Sequence, residues 1–293
     1  MLEPFIQSLI FGILVGALYG LAALGLSLAF GVTKFLNVSH GELMMLGGYA
    51  SFVVFTRFGV DPFLTLPSTM IILGVVGVIL YKLVFSRMVK LPDEARIKNT
   101  LLVGFGLSLI LQNIALRLWT ADDRGITTFY SGWGFTILDV RLPFVRLAIL
   151  ALAIVVFLSM HLFLKKTYTG KAIRATVEDW EAAALMGIDI HKVYQLSFAL
   201  GAALAGLAGA LVSVGYSINP SMGLTWTLIA LIVMVLGGLG SIMGTLAGGL
   251  LLGVTQSSTA FFLGGTYREV VGLLIFLIIL VFRPQGLFGK KGD

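Results

Sequence analysis

The chain has 293 residues, of which 58% are hydrophobic and 12% are charged, and its mean hydropathy is +1.02. Soluble globular domains have about 45–50% apolar and about 25% charged residues, so this composition excludes that class and indicates a membrane protein. The absence of cysteine excludes disulfides and thiolate metal sites, and we attribute the net charge of +6 to basic loops on one side of a membrane, not to nucleic-acid binding.

Nine apolar runs follow one another along the chain, and a membrane-spanning helix needs about 20 such residues. The runs cover residues 5–30, 43–55, 63–84, 100–119, 143–164, 193–216, 224–236, 245–263 and 270–282. The second and seventh runs are short. The pattern predicts an all-α, polytopic transmembrane helical bundle of eight to nine spans, with residues 1–293 forming a single domain. Because the first run is too long for a signal-peptide core, we expect it to be an uncleaved span.

The distribution of lysine and arginine predicts the orientation in the membrane. If residues 82–99 and 165–192 are cytoplasmic, alternation places 14 of the 20 basic residues inside, including every lysine. Lys290 and Lys291 belong to this inner set. Nine crossings then give a periplasmic N-terminus and a cytoplasmic C-terminus, whereas a re-entrant second run would move the N-terminus to the cytoplasm.

Polar residues interrupt the chain between the first two runs, at Asn37, Ser39, His40 and Glu42. A charge near the centre of a bilayer costs about 2.5–3.5 kcal/mol, and non-helical backbone at that depth must be buried in protein or line a wet cavity. We therefore expect these residues to be shielded from lipid. Two interpretations remain open: a broken helix beside a permeation path, or an interfacial loop with Glu42 in the first turn of the next helix.

Amide side chains lie within two later runs, Gln112 and Asn113 in the fourth and Gln256 in the eighth. Such groups bond neighbouring helices or face a passing polar solute. Together with the polar residues after the first run, they suit a path for a neutral polar molecule better than one for a bare ion. The aromatic, mixed-charge loop at 120–142 is either an interfacial belt or a contact for a soluble partner.

The loop at 165–192 contains the most specific local signals. Thr176 followed by Asp179 indicates a capping box, and Gly187 suits the position after a helix C-terminus, so a helix is predicted over 177–186. Its residues Val177, Trp180 and Ala184 share one face. A helix this short is marginal in water, so we expect this face to pack against a partner or against the chain's own membrane domain.

A glycine-rich break follows at 237–241. Such a break, paired with the earlier one, is typical of an internal repeat with a pathway between its halves. The alternative is a simple helix-packing face formed by glycines at spacing four, namely Gly244, Gly248, Gly249 and Gly253.

Enzyme motifs are absent from the sequence: there is no Walker A, H-E-x-x-H or G-x-S-x-G pattern. Its three histidines are widely separated. We therefore predict no catalytic residue, no metal and no cofactor, and any energy for transport must come from another subunit.

The stretch Glu181-Ala182-Ala183, followed after three residues by Gly187, resembles the EAA loop of ABC importer permeases. Other blocks are similar to the LivH-type permease of branched-chain amino-acid ABC importers, and they lie at residues 37–49, 106–113, 200–210, 236–241 and 283–289. The resemblance implies a permease of the bacterial inner membrane. It also implies four partners: a second, LivM-type permease, two cytoplasmic ABC ATPases and a periplasmic substrate-binding protein.

The same resemblance implies that Glu181, Ala182, Ala183 and Gly187 contact the ATPase, and we add the neighbouring Trp180. Residues 37–42 would then lie near the pathway. ATP-driven motion of the 177–186 helix would switch the cavity between outward and inward states. Two alternatives remain: a urea or amide permease, since urea-transporting relatives have a similar His-Gly-Glu block, and an ATP-independent secondary transporter, which would need a titratable residue in mid-span.

Overall fold

The computed structural model describes residues 2–137, 140–283 and 285–288. Lys290 and Lys291 lie outside these described residues, and so do residues 284 and 289 of the 283–289 block. Within them, the chain forms a short β-hairpin and eleven α-helices. The helices are α1 (Leu2–Thr33), α2 (His40–Phe58), α3 (Leu66–Leu83), α4 (Asp93–Trp119), α5 (Phe144–Lys166), α6 (Tyr168–Glu178), α7 (Trp180–Leu185), α8 (Ile190–Gly215), α9 (Met222–Gly237), α10 (Ile242–Phe262) and α11 (Arg268–Phe282).

Nine of these helices coincide with the nine apolar runs. By length and hydropathy, six of the described helices can each span a membrane: α1, α3, α4, α5, α8 and α11. Neither α9 nor α10 is long and apolar enough by itself, but the two together could form one span, with a bend of 116° between them. The all-α polytopic bundle is thus confirmed. The count of eight to nine crossings is not, because α2 is not long and apolar enough to count as a span and α9 and α10 together supply at most one.

Glycines allow α1 and α10 to pack in direct backbone contact as antiparallel neighbours. A Cβ added to Gly16 would lie 2.7 Å from the Gly249 carbonyl oxygen, and one added to Gly12 would lie 2.7 Å from the Cα atom of Val254. Gly248 packs in the same way against α9, where a Cβ would lie 2.7 Å from the Val233 carbonyl oxygen. The packing-face interpretation of the α10 glycines is therefore confirmed, as expected where small residues bring helices together in lipid.

The predicted break at 237–241 is also a real helix boundary. Gly238 and Gly240 have φ values of 103° and 80°, a region that L side chains avoid and glycine enters freely. The Ser241 hydroxyl then caps α10 by accepting a hydrogen bond from the Gly244 N–H at 3.1 Å. At the end of α9, the Leu287 N–H donates to the Leu236 carbonyl at 2.9 Å.

The loop at 120–142 contains a hairpin that the sequence did not predict. Strands β1 (Gly134–Ile137) and β2 (Val140–Pro143) are antiparallel, with Gly134 opposite Pro143. Gln7 of α1 bonds Arg141 of β2 in both directions, each at 2.8 Å. This fastens the hairpin to the first turns of the bundle.

Long-range contacts define two ends of the bundle. At one end, Gly31 near the end of α1 contacts Gly240 before α10, and the Tyr81 hydroxyl of α3 donates to the carbonyl of His191 on α8 at 3.4 Å. This end includes the loop at 165–192, and we call it the lysine-rich end. The other end carries the hairpin, the start of α1 and the end of α10, and we call it the hairpin end.

Candidate functional site

The chain leaves the helical conformation between α1 and α2 through a turn built by Asn37. The Asn37 Oδ1 atom accepts hydrogen bonds from the Ser39 N–H at 3.1 Å and from the Ser39 hydroxyl at 2.6 Å. Asparagine side chains favour such turns because they bond their own backbone two residues on. Lys34, which precedes the turn, has a φ of 57° and ends the continuity with α1.

This turn lies inside the bundle. Asn37, Ser39, His40 and Glu42 are each at most 3% exposed. The His40 Nε2 atom donates to the Ala22 carbonyl oxygen at 2.9 Å, and Ala22 precedes the end of α1 by eleven residues, which is about 16 Å of helix. The shielding from lipid is confirmed, and the depth favours the broken helix over the interfacial loop.

Glu42 brings a carboxylate into this buried region. Its Oε1 atom accepts a hydrogen bond from the Ser108 hydroxyl of α4 at 2.9 Å. Its Oε2 atom is buried without a hydrogen-bond partner among the described residues. Gly223 of α9 packs directly against the carboxyl group, and a side chain there would collide with it. A buried carboxylate with an open acceptor is suited to binding a donor or a cation.

The first turns of α2 and α9 meet beside this carboxylate. The Gly41 N–H donates to the Thr227 hydroxyl oxygen at 2.9 Å, and that hydroxyl lies 2.9 Å from the Val38 carbonyl, to which it donates. Helix N-termini carry a partial positive charge, so the site combines one carboxylate with two positive helix ends. We call it the Glu42 cluster, and its members are Asn37, Ser39, His40, Gly41, Glu42, Ser108, Gly223 and Thr227.

The other predicted pathway residues make no hydrogen bond to the Glu42 cluster among the described residues. Gln112 is half-buried on α4, one turn beyond Ser108, and Asn113 is exposed and donates to the Leu109 carbonyl of its own helix at 2.8 Å. Gln256 is buried and accepts a hydrogen bond from the Tyr19 hydroxyl at 2.9 Å. The structure therefore assembles the 37–42 segment, with Gln112 one turn away on α4 and with Asn113 and Gln256 bonded elsewhere.

Three members of the cluster were not predicted from the sequence: Ser108, Gly223 and Thr227. Ser108 lies in the 106–113 block but was not singled out there, and no local pattern distinguishes Gly223 or Thr227 from a packing position. Within the described ranges no three His, Asp or Glu side chains gather as a metal site requires. What the cluster presents is a set of groups that can bind a ligand: the open Glu42 oxygen and the two helix N-termini.

The second candidate region, the loop at 165–192, has two helices where one was predicted. α6 continues to Glu178, and Asp179 then starts α7 by accepting hydrogen bonds from the N–H groups of Glu181 and Ala182 at 2.9 and 3.0 Å. The predicted single helix over 177–186 is therefore wrong. Thr176 does not act as its cap, because its hydroxyl donates within α6 to the Ala172 carbonyl at 2.9 Å.

The predicted end of this segment at Gly187 is confirmed. Gly187 has a φ of 83°, its N–H donates to the Ala184 carbonyl at 3.0 Å, and the Ile188 N–H donates to the Ala183 carbonyl at 3.1 Å. These two bonds form a Schellman motif, which requires a left-handed residue and so favours glycine.

The break at Asp179 also separates the predicted apolar face. Trp180 and Ala184 line a cavity of about 770 Å³ beside Arg96. Val177 instead lines a different cavity, of about 570 Å³, beside Lys165. The predicted shared face is wrong, because Val177 belongs to α6 and the other two residues to α7.

Burial along α7 separates an inner side from an outer side. Ala183 is 4% exposed and packs toward the bundle, whereas Glu181, Ala182 and Gly187 are exposed. Trp180 is about half exposed. Two further apolar side chains, Leu185 and Met186, are 89% and 84% exposed, and the sequence did not single them out. Large apolar side chains left so open at a loop tip are typical of a protein contact.

Asp189 connects this loop to α8. Its carboxylate accepts a hydrogen bond from the Lys192 N–H at 3.1 Å and forms an ion pair with the Lys192 ammonium at 3.1 Å. The backbone hydrogen bond, followed by the side-chain bond, lowers the pKa of Asp189. An ionised Asp189 therefore favours the start of α8.

A family model and two curated relatives point to the same family. Residues 8–282 match the model of the branched-chain amino acid transport system permease component. The chain is 30% identical to the high-affinity branched-chain amino acid transport system permease protein BraD of Pseudomonas aeruginosa and 29% identical to the LivH protein of the same description from Escherichia coli K12. Each match covers 98% of this chain and 96% of the relative. Among solved structures, PsaBC from Streptococcus pneumoniae in complex with Fab matches with a TM-score of 0.49 and 15% identity over 98% of each chain.

Proposed function

Because this chain belongs to the family of branched-chain amino acid transport system permease components, we propose that it carries branched-chain amino acids across the bacterial inner membrane as one subunit of an ABC importer. Residues 1–293 form one permease domain, and residues 165–192 are its coupling loop. The lysine-rich end faces the cytoplasm, in keeping with the positive-inside rule. The start of α1 is then periplasmic, and the end of α11 is cytoplasmic.

The observation that carries the substrate proposal is the open oxygen of Glu42. An amino acid has an ammonium and a carboxylate one carbon apart. The unpartnered Oε2 atom accepts the ammonium, and the positive ends of α2 and α9 attract the carboxylate. Buried apolar residues follow Glu42, from Leu43 to Met45, and we propose that this part of the bundle supplies the apolar surface for the branched side chain. In the conformation described here the site is closed, and transport requires that it open to each side in turn.

A second permease subunit completes the path along α4. Only 17% of the most apolar segment of α4 is buried, although the helix carries Ser108, Gln112 and Asn113. A similar LivM-type subunit covers this face, and Gln112 and Asn113 extend the path from the Glu42 cluster. Gln256 remains a predicted pathway residue, with its bond to Tyr19 as the alternative role.

ATP binding and hydrolysis by the ATPase act on the permease at α7. Trp180, Glu181 and Ala182, with the exposed Leu185 and Met186, contact a cytoplasmic ABC ATPase, and a second ATPase binds the partner permease. Gly187 sets the turn that presents this surface, and Ala183 anchors it to the bundle. A periplasmic binding protein delivers the substrate to the hairpin end.

Motion at α7 reaches the Glu42 cluster through α8. Asp189 links the loop to α8, and α8 contacts α2 through backbone at Gly47 and Gly206 and at Met44 and Gly209. Packed backbones of this kind shift together and do not deform independently. A displacement of α8 therefore moves α2, which carries Glu42.

Uptake by the reconstituted importer tests the proposal. The complete complex in proteoliposomes should take up leucine, and not urea, only with ATP. Glu42→Gln keeps the size of the side chain but removes the charge. Loss of one charge-assisted hydrogen bond of about 1.5–3 kcal/mol corresponds to a decrease in uptake of about 10- to 160-fold.

The matched control is Glu94→Gln. Glu94 is exposed and pairs with exposed Lys98 at 2.6 Å, and surface pairs contribute little, so its uptake should equal wild type. Recovery of the ATPase with both variants shows whether assembly is intact. Normal leucine uptake by Glu42→Gln, ATP-independent uptake, or preference for urea would contradict the proposal.

A further inference from the structure

A cavity of about 330 Å³ lies at the hairpin end, between the first turns of α1, α5 and α11 and the last turns of α10. Two cationic side chains line it, Arg146 and Arg268. Arg146 is the third residue of α5 and Arg268 the first of α11. Both therefore lie where spanning helices meet the membrane surface, apart from the Glu42 cluster.

Among the described residues, neither arginine forms an ion pair with an acidic side chain. The Arg146 guanidinium lies 4.7 Å from the ring centre of Phe11 and 5.7 Å from that of Tyr216. Arg268 makes a single long hydrogen bond, 3.4 Å, to the Tyr19 hydroxyl. Since a guanidinium has five N–H donors, both keep donors for a ligand.

Two neutral polar side chains around the cavity, Gln7 and Ser8, are already engaged. Gln7 bonds the backbone of Arg141 through both ends of its amide. The Ser8 hydroxyl donates to the Ser257 carbonyl at 2.8 Å. None of the residues that line the cavity is acidic, so it presents positive donors, and this combination selects an anion with several acceptor oxygens.

The surroundings indicate that the anion belongs to an amphiphile. α11 begins at the cavity and extends toward the lysine-rich end. Only 6% of the apolar segment Gly265–Phe282, which contains α11, is buried. Its exposed side chains include Leu273, Leu277 and Val281. An acyl chain fits along this surface while its head group lies between the two arginines. We infer that Arg146 and Arg268 form a binding site for the phosphodiester of an anionic phospholipid in the leaflet at the hairpin end.

Lipid retention by the full-length chain, purified with the subunits that accompany it, tests this site. Native mass spectrometry after incubation with phosphatidylglycerol or phosphatidylcholine of equal chain length measures the lipid bound. Phosphatidylglycerol should be retained preferentially, because the two guanidinium groups repel choline. Each basic residue near a membrane contributes about fivefold in affinity, so Arg146→Gln and Arg268→Gln should each lower retention about fivefold and the double variant about 25-fold.

Three further measurements show whether lipid retention depends on the positive charge, on the position of the arginines, or on a free carboxylate ligand. Arg146→Lys and Arg268→Lys keep the charge and should retain most of the binding. Arg117→Gln removes an exposed charge from α4, outside the cavity, and should leave retention unchanged. Equal loss in Arg117→Gln, or no preference for phosphatidylglycerol in the wild type, would overturn the site. Displacement of the lipid by free leucine, with the same arginine dependence, would overturn the lipid assignment in favour of a free carboxylate.

Discussion

The close approach of α1 and α10 predicts a large penalty for one added methyl group. In Gly16→Ala, the new Cβ would lie 2.7 Å from the Gly249 carbonyl oxygen and 2.8 Å from the Leu250 Cα, whereas ordinary contacts begin at 3.4 Å. Both obstacles are backbone atoms, so the helices themselves must separate by about 0.7 Å. Overpacking of this kind costs about 1–3 kcal/mol.

Alanine is also the better helix former, by about 0.5–1 kcal/mol. The expected net loss for Gly16→Ala is therefore at most about 2.5 kcal/mol in the free energy of unfolding, with a central value of about 1 kcal/mol. Gly106→Ala is the matched control, because no atom lies within 4 Å of a Cβ added at that position on α4. It should be neutral or stabilising. Unfolding of the purified variants in bicelles measures the difference, and equal stabilities would refute the packing argument.

Three further changes test the proposed site and the coupling loop. Ser108→Ala removes the donor to Glu42 and should lower stability by about 1–3 kcal/mol together with leucine uptake; wild-type values for both would contradict the role of the pair. Gly187→Ala places a side chain at a φ of 83°, costing about 1–2 kcal/mol, and should reduce ATPase copurification while membrane insertion persists; undiminished copurification would count against it. The bonds from Lys192 lower the pKa of Asp189 from 3.8, so ionised Asp189 stabilises the fold above pH 3.8 and this stabilisation is lost as the pH falls through the lowered pKa. Asp189→Asn should therefore reduce the fall of the unfolding midpoint in acid. An unchanged fall would refute the assignment.

The helices of this chain are predictable because apolar runs and end signals are local. The run at 193–216 coincides with α8, and Gly187 ends α7 as its sequence context indicates. The break before α7 is harder to predict from the sequence, since Thr176 and Asp179 are both good capping residues and only their backbone conformations distinguish them. The extended φ of −155° at Asp179 makes it the cap of a new helix.

The Glu42 cluster was predicted only in part, for a different physical reason. Residues 37–42 are polar in an apolar chain, so their burial and importance follow from composition. Ser108 lies 66 positions beyond Glu42, and Thr227 lies 186 positions beyond Gly41. Contacts over such distances depend on how α4 and α9 pack against α2, and no periodicity within one helix specifies that packing.

The most direct test of ATPase-driven transport uses the absence of cysteine from the natural sequence. In Leu185→Cys the only thiol lies at a position that is 89% exposed at the tip of the coupling loop, and in Trp133→Cys it lies at a 58% exposed position at the hairpin end. A thiol-directed photocrosslinker on the assembled importer should join Leu185→Cys to an ATPase subunit, with a yield that changes on ATP binding, and should give no such product with Trp133→Cys. Absence of the ATPase adduct from Leu185→Cys, or equal adducts from both positions, would contradict the account.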